Sequence, residues 1–177
     1  METAIVSVVC IALIILGGMT MSQGFLWSVD NTTSGLEEIS QQTAEIARTS
    51  LTPLSASQPS AEILEVSLKN SGQTKLADLA KWDFIVQYYD AEGNYHVKWL
   101  PYVEGTLGNN QWTDVGIYLD AGDETPEVFE PGILNPGEEM RLRAKVDPPP
   151  GSGTTNLVVI ATPNGVPASI SFTGYSP

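Results

Sequence analysis

The sequence predicts an α+β protein: a long N-terminal apolar α-helix followed by an all-β, immunoglobulin-like antiparallel sandwich head. Three observations carry that expectation. Nineteen consecutive residues, Thr3–Met21, contain no charge and are rich in Ile, Val and Leu. From about Ala61 onward, short runs of Val, Ile, Thr, Tyr and Trp alternate with Gly, Pro and Asn, which is the punctuation of short strands and turns. A length of 177 residues has room for one ordinary domain plus an appendage. The expected organisation is a helix over 1–51 (apolar over 3–27, amphipathic over 28–51), a connector over 52–60 and a head over 61–177.

The helix is expected to be continuous. Past the apolar run, positions 29, 32, 36, 39, 43 and 46 alternate steps of three and four, the spacing of one helical stripe. Thr32 and Thr43 interrupt its apolarity. Pro53 and Pro59 stop any helix near Leu51. At 1.5 Å per residue, fifty residues make a rod of about 75 Å. Its apolar half matches the ~30 Å thickness of a bilayer core. Gly17, Gly18 and Gly24 fit either tolerated helix glycine or close backbone approach between packed helices.

An apolar run of this length reads as a signal peptide, a membrane anchor or the buried helix of an assembly. The start, Met1-Glu2-Thr3, is acidic, and the first basic residue is Arg48. The positive n-region of a signal and the basic flank of an anchor are therefore both missing. The expected resolution is that a basic leader once preceded residue 1 and was cut away; the alternative is an anchor without its flank. Glu2 is the one charge at the apolar end. Its natural partner is the α-amino group at Met1, in a neighbouring copy, because an unpaired carboxylate away from water costs several kcal/mol. The other option is that Glu2 reaches water at a helix N-terminus, where its charge suits the dipole.

In the head, strands are expected at Ile63–Leu68, Trp82–Tyr89, Tyr95–Leu100, Trp112–Leu119, Met140–Val146, Leu157–Ala161 and Ala168–Phe172. Turns between them include Asn70-Ser71-Gly72, Asn135-Pro136-Gly137 and Pro163-Asn164-Gly165. Alternation is plainest in Arg141-Leu142-Arg143-Ala144-Lys145-Val146, which puts three cations on one face and three apolar residues on the other. Seven short strands with no helix between them argue for a sandwich.

Composition narrows function. The net charge is −13, from 21 acidic and 8 basic residues, and no Lys/Arg cluster exists to engage phosphates, so nucleic acid is excluded as a partner class. With one histidine, His96, there is no Ser/His/Asp arrangement and no histidine metal site. His96 reads as a surface or packing residue. Asp120, Asp123, Glu124, Glu127 and Glu130 form an acidic loop that lacks the spacing of a calcium loop. No phosphate-cradling glycine motif, catalytic set or cofactor site is expected. Cys10, the only cysteine, sits in the apolar run as a small hydrophobe. Four Trp and six Tyr read as core and interface aromatics.

A chain opening directly into about twenty apolar residues, continuing as a long helix and ending in a sandwich, resembles the type IV pilin superfamily. Within it, a cysteine-free β head is similar to archaellins, the subunits of the archaeal-type flagellum. Residues Met1–Leu51 match their helix in kind, and Trp82-Asp83-Phe84-Ile85-Val86-Gln87-Tyr88-Tyr89 and Leu134-Asn135-Pro136-Gly137-Glu138 look like what such heads contain. Met1 and Ile5 stand where bacterial type IV pilins usually carry Phe and Glu, which favours the archaeal-type branch. The resemblance implies a helical homopolymer at the cell surface, membrane-inserted as a precursor, whose partners are a membrane assembly platform, an ATPase and a leader peptidase. Its assembly residues would be Met1, Glu2, Ile5, Val9, Leu13, Leu16, Gly17 and Gly18. Asn31, in Asn31-Thr32-Thr33, matches the N-glycosylation pattern. The alternatives are an adhesive pilin and a membrane-anchored β-sandwich binding or stator protein.

Overall fold

The computed structural model describes residues 2–177, with side chains described for residues 5–25, 27 and 36–177. The chain divides into two units, Met1–Ala44 and Glu45–Pro177. The first is one helix. α1 spans Glu2–Arg48, so its last turn belongs to the second unit. No proline interrupts it, and its interior residues from Ile5 to Phe25 are apolar on every side rather than on one stripe. Ile5–Phe25 is long and apolar enough to cross a membrane, and within its own unit, a single helix, it has no second element to pack against. Water is therefore the wrong solvent for this segment. Thr20, one of its few hydroxyls, returns its proton to the Gly17 carbonyl (3.0 Å), which hides the polar group inside the helix.

The second unit is a two-sheet sandwich. Its strands are β1 (Leu51–Ser57), β2 (Ile63–Asn70), β3 (Asp83–Tyr89), β4 (Tyr95–Leu100), β5 (Gln111–Asp120), β6 (Thr125–Pro126), β7 (Glu139–Lys145), β8 (Thr155–Ala161) and β9 (Pro167–Thr173). One sheet runs β1-β2-β7-β5-β6 and the other β4-β3-β8-β9, all pairs antiparallel. The chain crosses between the sheets from β2 to β3, from β4 to β5 and from β7 to β8, which is the immunoglobulin-type order with β4 and β6 as added edge strands.

Side-chain alternation builds the core. Leu64, Val66 and Leu68 of β2 and Met140, Leu142 and Ala144 of β7 point inward, facing Phe84, Val86 and Tyr88 of β3. Phe84 stacks on Trp112 at 5.5 Å in the centre of this layer. The three cations of β7 lie on its outer side, as the sequence alternation requires.

Besides the short β6, which falls within the stretch expected as an acidic loop, two segments differ from expectation. The helix ends at Arg48 rather than near Leu51, and the stretch expected to be a connector supplies β1 and closes one edge of the first sheet. Ser, Ala and Pro read as linker composition. Here Pro53 is tolerated because β1 is an edge strand and its register shifts beside that residue, so no ladder donor is lost. The helix stops because its exit is tied down. Arg48 and Ser50 carbonyls accept from Gln73 (2.7 Å), Ser71 (3.0 Å) and Gly72 (3.1 Å). Any Cβ at Gly72 would sit 2.5 Å from the Arg48 oxygen, so only glycine lets the β2–β3 loop approach this closely. Thr49 is buried there and accepts from Asn164 of the β8–β9 turn at 2.8 Å.

Candidate assembly surfaces

The first surface is the apolar part of α1. Ile5, Val9, Leu13 and Leu16 follow steps of four, four and three, so they share a helix face, and each is more than half exposed. Val6, Ile11, Ile14 and Ile15 are equally uncovered on the other sides. Gly17 and Gly18 leave open space where a side chain would stand. This is the geometry of a segment to be covered by lipid or by other helices, and Gly17-Gly18 would admit a neighbouring backbone closely. Met1 and the side chains of Glu2 and Asn31 lie outside the described residues.

The second surface is the outer side of the β4-β3-β8-β9 sheet. Trp99, Ile85, Val159 and Ser169 form one row across the four strands; Val97, Gln87, Leu157 and Ser171 form the next. Tyr95 and Tyr89 begin a third, with rings 5.1 Å apart. Tyr95, Val97 and Trp99 are each more than half exposed. The Trp99 indole donates to Asp83 (2.8 Å) and the Tyr95 hydroxyl to Gln87 (3.1 Å), so both rings are oriented.

Several titratable groups elsewhere are committed to structure. The Asp90 carboxylate accepts from the Glu92 and Asn94 amides (2.9 and 2.8 Å), the Asn94 side chain (3.0 Å) and lies 2.7 Å from His96 Nε2. The hydrogen bond with His96, then those with Asn94, hold its carboxyl far below the usual carboxylate range. His96 also stacks on Tyr88 at 5.0 Å, so it packs and locks the β3–β4 hairpin. Burial, then the charges of Asp90 and Asp147, push the Tyr88 phenol up to about 12; its hydroxyl donates to the Pro148 carbonyl. Tyr102 is likewise raised to about 12, by burial and then by its hydrogen bond to Asp114.

The acidic loop does not converge on one point. Asp120 caps the Gly122 and Asp123 amides, Glu124 pairs with Arg141 (2.7 Å), Glu127 accepts from the Gly132 amide and Glu130 pairs with Lys75. Among the described residues no three His, Cys, Asp or Glu side chains are grouped to hold a metal ion. The aromatic sheet face is what the sequence reading did not isolate. The signal was Tyr95-His96-Val97-Lys98-Trp99, whose alternate apolar residues turn out to face solvent while Lys98 and His96 turn toward the sandwich rim.

Neither family models nor curated proteins give a match. Solved structures do. The archaeal flagellum of Methanospirillum hungatei matches at 16% identity over 94% of this chain and 90% of that one, with a TM-score of 0.60. The archaellum periplasmic stator protein FlaG of Sulfolobus acidocaldarius matches at 21% identity over 70% of this chain and 99% of that one, with a TM-score of 0.52. The FlaF and FlaG stator complex of the same organism matches at 20% identity over 69% and 87%, with a TM-score of 0.50. The chain therefore has the helix-plus-sandwich fold found in archaellum proteins, and its likeness to archaellins holds at the level of the fold.

Proposed function

We propose that the chain is a component of an archaellum and, more narrowly, a structural subunit of its extracellular filament, acting by assembly rather than catalysis. The observation that carries the reading is the reach of the flagellar match. It covers 94% of the chain, more than the 133 residues of Glu45–Pro177 can supply, so it extends into the apolar helix. In a filament the helices bundle, with Ile5, Val9, Leu13, Leu16, Gly17 and Gly18 at their contacts. About fifteen apolar side chains at ~1–2 kcal/mol each give a gross driving force of order 15–30 kcal/mol per subunit when water is the alternative. From a bilayer that term nearly vanishes, so extraction calls for an assembly platform and an ATPase, with packing supplying the rest. Glycosylation at Asn31 belongs to the same reading.

A second reading has its own observation. The FlaG match takes in 99% of that chain and 70% of this one, the share expected if the head is the working part. There the helix is a membrane tether and the protein a static archaellum element. Electron microscopy of material sheared from cells producing the native chain separates the two. Filaments containing the full chain are expected. Protein recovered only as discrete detergent-soluble particles, with none in the sheared fraction, overturns the filament reading and leaves the tether.

A further inference from the structure

We infer that the last turn of α1, Glu45–Arg48, is joined to the sandwich stiffly and without a swivel, in a joint whose positioning residue is Asn70. A hinge needs a few residues free to change their backbone angles. Here they are tied down. Glu45 to Thr52 include neither glycine nor proline, only Thr49 and Ser50 separate the helix from β1, and Thr49 and Leu51 are buried. Carbonyls at a helix C-terminus lack partners within the helix and are often left to water. Those of this turn are met by protein groups. Glu45 accepts from the Thr49 amide (3.0 Å) and hydroxyl (2.9 Å), and Arg48 accepts from the Gln73 amide (2.7 Å). Ser50, just beyond, accepts from the Ser71 and Gly72 amides.

The loop that supplies Ser71, Gly72 and Gln73 is itself held by Asn70. This residue is fully buried. Its amide donates to Glu138 (2.9 Å) and its carbonyl accepts from Gly137 (2.7 Å). Nδ2 donates to the Thr74 and Leu134 carbonyls (2.8 and 2.9 Å), and Oδ1 accepts from the Gly72 amide (3.1 Å). A carboxylate would not serve there, because its second oxygen would face two carbonyls as a third acceptor. Asn70 also stands opposite Leu51 in the β1–β2 register. The turn Leu134-Asn135-Pro136-Gly137-Glu138 thereby gains a role: anchored in the core by Leu134, it braces Asn70, which braces the loop that grips the helix exit. Asn164 adds a second brace through Thr49. Glu45–Arg48 therefore shifts and rotates with the sandwich, and load reaching that turn enters β1 two residues later. The inference concerns a single copy, so it stands whether α1 lies in a bundle or in a bilayer.

The test uses the full chain in dodecyl maltoside micelles, on a Cys10→Ser background, with pairs of nitroxide labels read by double electron–electron resonance. Ala47→Cys with Ser152→Cys spans the joint, and Lys81→Cys with Ser152→Cys is the reference within the head. All three positions are exposed. Ser152 precedes β8, whose seven residues at ~3.3 Å each separate it from the end where Asn164 lies. Lys81 lies at that same end, since Asp83 pairs with Ala161. In the native background the joint pair is expected to give a distance distribution no broader than the reference. Asn70→Ala should broaden the joint pair at least twofold and leave the reference unchanged. Gly72→Ala, whose Cβ would stand 2.5 Å from the Arg48 oxygen, should do the same. A native joint pair already twofold broader than the reference overturns the inference, because a hinge then exists. A joint pair that stays narrow in both variants overturns it as well. So does equal broadening of both pairs, which would make these residues supports of the whole sandwich rather than of the joint. Where Asn70→Ala does not fold by circular dichroism, Gly72→Ala decides alone: broadening confined to the joint pair upholds the stiff joint, and any other result overturns it.

Discussion

The two outer faces of the sandwich are built from strands of similar length and the same alternation, yet they are chemically opposed. On the β2–β7 side, Glu65 pairs with Arg143, Lys69 with Glu139 and Glu62 with Lys145, and Arg141 lies over the Tyr118 ring while pairing with Glu124. On the β3–β4 side, tyrosines, a tryptophan and aliphatics face outward with one corner carboxylate. The first face has satisfied its charges within the chain and needs nothing more. The second leaves apolar surface that the chain itself does not cover. Both faces share one core, so fold stability and outer chemistry can be varied separately; a helical protein of similar size, whose core and contact stripes lie on the same elements, gives less freedom.

The largest expected effect tests that separation. Phe84→Ala removes the ring stacked on Trp112 between the sheets and should cost about 3–5 kcal/mol, lowering the urea midpoint of the head. By contrast, Val97→Glu on the aromatic face should leave that midpoint nearly unchanged, because surface substitutions usually stay within ~0.5 kcal/mol. Equal losses from the two would mean that the outer face is part of the fold after all.

An acid titration comes next. Asp90 fixes the hairpin that presents the aromatic edge strand, through Glu92, Asn94 and His96. Its carboxyl is depressed in the folded state, mainly by the His96 hydrogen bond. Its contribution is therefore present above its unfolded pKa of about 3.9 and is lost as pH falls below that value. Asp90→Asn should flatten the fall in stability below about pH 4, read by near-ultraviolet circular dichroism of Tyr and Trp. The Glu65–Arg143 side should show no comparable dependence on this substitution. An unchanged acid profile would remove Asp90 from the hairpin's support.

How much of this contrast was legible in the sequence differs between the faces. In β7 the strict order Arg141-Leu142-Arg143-Ala144-Lys145 declares its outer side, because charge cannot go inward unpaired. In β3 the run Phe84-Ile85-Val86-Gln87-Tyr88-Tyr89 is apolar on both sides, and nothing local says that Tyr88 is buried and Tyr89 exposed. Only register against β4 and β8 decides that. β1 was hidden for the opposite reason: Pro53 and two serines look like a linker, and its pairing is supplied by β2, with partners eight to nineteen residues on. The helix was legible in its residues, since an uncharged run has few destinations. Its last turn was not, because the exit is set by Gly72 and Asn164, distant loop residues with no helical signal of their own.

The smallest effect concerns the charged face itself. Glu65 and Arg143 stand directly opposite on β2 and β7, and both Nε and Nη2 of Arg143 donate to the same oxygen, Oε1 of Glu65. That geometry is not the two-oxygen fork that makes an Arg–carboxylate pair strong. The Arg143 side chain is also 45% exposed, so water screens the attraction, and holding two long side chains in one geometry costs entropy. A double-mutant cycle with Glu65→Gln and Arg143→Met, measured by urea unfolding, should give a coupling of about 0.2–1 kcal/mol. In 1 M salt, where the Debye length is ~3 Å, most of it should vanish. A coupling above about 2 kcal/mol that ignores salt would make the paired face a structural element, and its contrast with the neutral face would then not be one of interaction alone.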